Sequence, residues 1–139
     1  MFNDYLLLKR RAQYIQQLAG HMKQHGDDVS RNEKIQMLET RLFIGLNDAE
    51  TKKQIFETEL YVKQLKKLCF TYHVPFSVAF EEGGYFHENG EYVEEKTLVL
   101  TLIDAEADII QKIAKDLCGL FNQESILVTE NNVKGCFIM

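Results

Sequence analysis

Six carboxylates, Glu81, Glu82, Glu88, Glu91, Glu94 and Glu95, fall within fifteen residues with no intervening Lys or Arg, and His87 stands among them. An imidazole beside carboxylates is the group set of general acid–base chemistry and of hard-cation binding. Asn89-Gly90, flanked by strand-like residues, predicts a tight hairpin, because both central positions of a type I′ turn take positive φ. A two-residue turn sets Glu88 across from Glu91, His87 across from Tyr92 and Tyr85 across from Glu94. Like charges directly opposed destabilise a hairpin, and a bound cation, a basic protein partner or a longer loop would relieve them. This reading assigns Tyr85, His87, Glu94 and Glu95 to a ligand or cation. A small enzyme would use the same groups, with His87 as acid or base and Glu94 or Glu95 orienting it. The simpler reading is a solvated hairpin tip whose charges discourage edge-to-edge aggregation.

Other groupings are weaker. His21 and His25 stand four apart, a spacing that puts two imidazoles on one helix face, but no Glu or Cys shares it, and a solvated helix end, where His suits the negative dipole, is the favoured reading. Gln123-Glu124-Ser125 has no His near in sequence and reads as a polar junction between helix and strand. Gly83-Gly84 leads into a strand rather than a helix N-terminus, which excludes a phosphate loop. Lys9-Arg10-Arg11 with Tyr14 forms a short basic helix face that fits an acidic surface or nucleic-acid phosphates. No catalytic set and no cofactor motif emerges, so neither a cofactor nor a metal is expected.

The elements that must position these residues follow from periodicity. Residues 4–24 read as an amphipathic helix with a seam at Leu8, Ala12, Ile15, Ala19 and Met22. Ser30 to Glu33 has capping-box spacing and predicts a short helix carrying Ile35 and Leu38. Leu42 to Leu46 is a buried strand. Thr51 to Gln54 offers a second capping box ahead of a helix over 51–72, ended by His73-Val74-Pro75. Phe76, Val78 and Phe80 alternate with Ser77 and Ala79 in a half-buried strand, with a bulge or bend expected at Gly83-Gly84. The return strand is Tyr92 to Ile103, and its apolar end makes it central. Asp104 is expected to cap a third long helix through Phe121. A strand over Ile126 to Thr129, a turn at Asn131-Asn132 and an extended tail complete the chain.

From residue 42 the order is strand, helix, strand, hairpin, strand, helix, strand. Two β-α-β halves in that order predict an α+β ferredoxin-like βαββαβ sandwich, a four-stranded antiparallel sheet with both helices on one face. An N-terminal helical extension over 1–39 precedes a domain over 40–139. The second sheet face, carrying Phe and Val, needs cover, from the N-terminal helix or from a second chain. Leu8, Ile15, Met22, Phe76 and Val78 are the expected interface residues of a homodimer or other homo-oligomer.

The run Phe121-Asn122-Gln123-Glu124-Ser125-Ile126-Leu127, together with Thr40 to Leu46, Gly84-Tyr85-Phe86 and Glu95 to Leu100, resembles an uncharacterised family of small bacterial proteins classed as a domain of unknown function. The resemblance spans about residues 40–130 and implies the split βαβ fold and a bacterial setting. It implies no activity.

Composition bounds the rest. The 139 residues are 45% apolar and 27% charged, with one Pro and a net charge of −5. That is one soluble domain, long enough to build a core without disulfides. Cys69, Cys118 and Cys136 are odd in number and lack CxxC spacing, which points to a reducing, cytoplasmic compartment. No apolar run is long enough to span a bilayer. Residues 1–43 hold seven Lys/Arg against five Asp/Glu, and residues 44–139 hold nine against sixteen. The acidic majority should repel nucleic acid, leaving an accessory role through the basic N-terminal helix as a minor reading. The leading expectation is a non-enzymatic oligomeric module for ligand sensing or protein interaction.

Overall fold

The computed structural model describes Arg10, Arg11 and residues 34–139. Contacts divide the chain at Ile35 and Lys134, and the unit Gln36–Val133 carries the fold. The predicted seam residues Leu8, Ile15 and Met22, the His21/His25 pair, Lys9 and Tyr14 lie outside the described residues.

The elements are β1 (Ile35–Gly45), α1 (Thr58–Thr71), β2 (Ser77–Phe86), β3 (Tyr92–Ile103), α2 (Ala107–Leu120) and β4 (Leu127–Gly135). The strands form one antiparallel sheet in the order β2-β3-β1-β4, the split βαβ arrangement that the order of elements predicted. Leu42 and Val78 both pair with Leu100, and Ile44 and Phe80 with Leu98, so these side chains line one face in layers. Leu65 and Cys69 of α1 and Ile113 and Leu117 of α2 close over that face, all fully buried. Their spacing of four keeps them on one side of each helix. Burial also pushes the Cys69 thiol up to about 11.

Phe76 and Val78 pack against this helix-side core rather than standing on the second face. Across the sheet, the opposite face carries Ser77, Ala79 and Glu81 of β2, since successive strand residues alternate. Its central layer is Phe43, Val99 and Ala79, with Val99 only 4% exposed.

Several local expectations change for identifiable reasons. Residues 35–39 are strand, not helix, because Asp104 extends the ladder to Leu38. The Asp104 N–H donates to the Leu38 carbonyl (2.8 Å) and the Leu38 N–H donates to Asp104 Oδ1 (2.8 Å). Asp104 takes a φ of 53° to do so and does not cap α2, whose N-cap is Glu106. Helix α1 starts at Thr58 rather than Thr51, because Lys52 at a φ of 63° breaks any helix there. Both helices end in Schellman motifs: Val74 N–H reaches Cys69 O past His73 (φ 55°), and Gln123 N–H reaches Cys118 O past Asn122 (φ 48°). Strand β4 runs unbroken through Asn131-Asn132.

Candidate functional site

The hairpin comes first because the sequence directs attention there. Gly90 has a φ of 88°, but Asn89 is not among the positive-φ residues, so the turn is not type I′. Gly90 N–H donates to His87 O (2.9 Å) and His87 N–H to Glu91 O (2.8 Å), giving a three-residue loop over Glu88, Asn89 and Gly90. Pairing therefore shifts by one residue from the predicted register. Tyr85 faces Val93 and Phe86 faces Tyr92, and the predicted Glu88–Glu91 and Tyr85–Glu94 oppositions are absent. The electrostatic strain that motivated a cation at this tip is relieved by the turn itself.

Alternation then separates the predicted ligand residues. Tyr85 and His87 meet edge to face, ring centroids 5.4 Å apart, on the side away from the two helices with Glu95. Glu94 belongs to the other side, with Tyr92 and Lys96. The Glu95 carboxylate lies over Gly45, in space that a Cβ would fill, and accepts from the Asn47 N–H (3.1 Å). Glu95 thus fastens β3 to the start of the β1–α1 loop. Gly84 makes the matching notch on the opposite side, where the Tyr92 ring rests in place of a Cβ. The paired glycines mark no bulge, for β2 stays in register from Ser77 to Phe86. All of residues 79–92 are exposed, His87 included. Among the described residues no group of three or more His, Cys, Asp or Glu is arranged to hold a metal ion.

The most organised surface lies one step inward, where the β1–α1 loop meets β3. Gln54, Ile55, Phe56, Glu57, Leu60 and Lys96 line a shallow, wide-mouthed depression of about 710 Å³. Lys96 reaches it because the Leu46 N–H donates to Lys96 O (3.0 Å), which puts Lys96 on the helix side at the edge of the core. Ile55 and Phe56 remain 51% and 54% exposed, an unusual place for two large apolar side chains.

Their backbone is nevertheless held. The buried Tyr61 hydroxyl accepts from both the Ile55 N–H (3.3 Å) and the Phe56 N–H (3.2 Å). Gln54 Nε2 donates to Phe56 O (2.8 Å) and Thr58 Oγ1 (3.1 Å). Tyr61 is held in turn by Phe121, edge to face at 5.0 Å. Upstream, Asn122 Nδ2 donates to Asp48 Oδ2 (2.9 Å), and Gln123 Nε2 donates to Asn47 O (2.6 Å). The Phe121 to Leu127 run is thus, in its first three residues, the clamp on this loop. Ser125 is exposed and takes no part. Sequence reasoning missed the depression because its walls come from a segment read as helix. An apolar pair, Ile55-Phe56, directly after the polar Thr51 to Gln54 stretch was the available signal.

Asp48 anchors the near end of the loop. Its Oδ1 accepts from the Thr51 (3.0 Å) and Glu50 (2.8 Å) N–H groups, and those bonds with the Asn122 amide hold its pKa below the ordinary aspartate value. A carboxyl with a lowered folded-state pKa adds stability above its unfolded pKa and loses it as the pH falls through the folded value. Asp48→Asn should therefore melt earlier than wild type at neutral pH, with the gap closing in acid below the usual aspartate range. Thermal melts across that pH series test this, and a gap constant with pH would remove the assigned role.

Neither a family model nor a curated protein matches the chain. Among solved structures, a phage SAM lyase in complex with S-methyl-5′-thioadenosine is similar over 73% of this chain and 90% of its own, at 19% identity and a TM-score of 0.53. The same phage enzyme in its apo state is similar over 78% of this chain and 93% of its own, at 20% identity and a TM-score of 0.53. A B. subtilis GlnK–ATP complex aligns over 70% of this chain and 82% of its own at 13% identity, with a TM-score of 0.43. At these identities the phage enzyme and this chain share a fold, the ferredoxin-like α+β sandwich.

Proposed function

We propose that this chain is a non-enzymatic ligand-binding module that works as a homo-oligomer, and that the depression at the start of α1 is its ligand site. The observation that supports this most is the pairing of exposed Ile55 and Phe56 with a backbone fixed by the Tyr61 hydroxyl. A loop fixed in place with its apolar side chains outward has already lost the entropy that binding would otherwise cost. The site offers apolar walls, a cationic donor in Lys96, and Gln54 Oε1 as acceptor once its Nε2 is committed to the loop. Such a set suits a small flat heterocycle with an amino group and an anionic or carbonyl end. The shallow mouth favours weak binding by one copy and tighter binding where a second copy closes it.

Binding is favoured over catalysis because the acid–base candidates do not converge. His87 is exposed against Tyr85, and the Glu95 carboxylate serves the Asn47 N–H. S-methyl-5′-thioadenosine, which the phage enzyme of this fold holds, supplies the flat purine and the exocyclic amine but no anionic end, and is the first probe of the apolar walls. In a ¹⁵N NMR titration with it and a set of flat heterocyclic fragments, amide shifts should concentrate at residues 54–57, 60 and 96 and vanish in Phe56→Ala. Shifts centred on Tyr85 and His87 would transfer the site to the hairpin. No response to any probe would refute ligand binding.

A further inference from the structure

The outer face of α1 is an ordered stripe. Lys63, Lys66, Lys67 and Phe70 follow the i, i+3, i+4, i+7 spacing that aligns side chains on one helix side, and all four are exposed. Phe70 is 70% exposed and sits beside His73, ring centroids 6.2 Å apart. A helix that turns three ammonium groups and a bare phenyl ring outward has a second amphipathic face beyond the one its core requires. The opposite character is gathered on the hairpin, where Phe86 and Tyr92 are 72% and 55% exposed with ring centroids 5.3 Å apart. Glu88 and Glu91 flank them at the tip, and the hairpin carries no Lys or Arg outward of Lys96.

The Phe70 end of the stripe cannot meet the hairpin aromatics within one copy. The α1 N-terminus lies by Lys96, whereas its last turn leads to Ser77, which pairs with Thr101. From Thr101 to Tyr92 the strand covers about 30 Å at 3.4 Å per residue, so Phe70 and the hairpin tip are at opposite ends of the sheet. We propose that the occupant of the α1 stripe is the acidic aromatic hairpin of a second copy of this chain. Phe70 packs against the Phe86–Tyr92 pair, and the lysines face Glu88 and Glu91. The contact joins two different surfaces, so it is head-to-tail and builds a ring when its rotation closes. This rests on the oligomeric part of the function proposed above and adds the surfaces that form the contact. Charge complementarity is its basis, because a chain of net charge −5 otherwise repels its own copies.

Sedimentation velocity at low and high salt tests the contact. Wild type should associate at low salt and dissociate as salt screens the charges. Lys63→Glu/Lys66→Glu/Lys67→Glu should weaken association by about tenfold or more, as should Glu88→Lys/Glu91→Lys, with circular dichroism unchanged. The chain carrying both sets of substitutions regains complementarity and should associate within about threefold of wild type. An oligomer indifferent to the helix substitutions, or no recovery in the combined variant, overturns this contact and leaves the oligomeric reading standing. A monomer under all conditions overturns both and returns the stripe to a partner of another kind.

Discussion

Leu100→Ala should lower unfolding free energy by about 2–5 kcal/mol, the range for truncating a fully buried leucine where neighbours relax little. Leu100 is 0% exposed and sits at the centre of the sheet, paired with Leu42 on one side and Val78 on the other. Both neighbours are fixed by ladder hydrogen bonds, and α1 and α2 close the layer above, so the cavity has little means of collapse. Against a typical total of about 5–15 kcal/mol, such a loss removes a large share of the stability of the domain. Ile103, on the same strand but 41% exposed, provides the contrast, and Ile103→Ala should cost no more than about 1 kcal/mol. Urea unfolding reads both, as a shift of the midpoint at constant slope. Equal costs at the two positions would contradict the placement of the core.

Phe121→Ala should cost a comparable amount, about 3–5 kcal/mol, and should also loosen the depression. Phe121 is 4% exposed and buttresses the Tyr61 ring, whose hydroxyl holds the Ile55 and Phe56 amides. Tyr61→Phe separates the two effects. It keeps the ring and removes only the acceptor, so its global cost should be about 1 kcal/mol. Hydrogen exchange at the amides of Ile55 and Phe56 should nonetheless accelerate in both variants, while exchange in β1 and β3 changes only with global stability. If Tyr61→Phe leaves those two amides as protected as in wild type, the loop is not held by this hydroxyl. The preorganisation on which the ligand-site proposal rests would then be lost.

The clamp connects a sequence feature to the proposed function. Phe121-Asn122-Gln123 ends α2, yet its side chains act on the β1–α1 loop, more than seventy residues away in the chain. A polar run of this kind is legible as a helix stop, since Asn readily takes the left-handed conformation required there. What it holds is set by the sheet, which brings the ends of the two βα halves together.

Patterning alone was sufficient for the architecture. Apolar alternation in β2, a two-sided apolar strand in β3 and two helical stripes admit few arrangements besides the split βαβ sandwich, and burial of each apolar face selects that one. Local chemistry was less reliable wherever a side chain had a distant partner. Asp104 has the form of a helix cap but completes a ladder with Leu38, and Thr51 to Gln54 has the form of a capping box but belongs to a turn built on Asp48. The hairpin register depended on whether Asn89 takes positive φ, a choice that the sequence Asn-Gly leaves open and the three-residue loop settles. Composition along the chain determined that the hairpin is acidic and α1 basic. Only the tertiary structure decided that the last turn of α1 and the hairpin tip lie at opposite ends of the sheet, because strand length, not sequence distance, sets how far apart they stand.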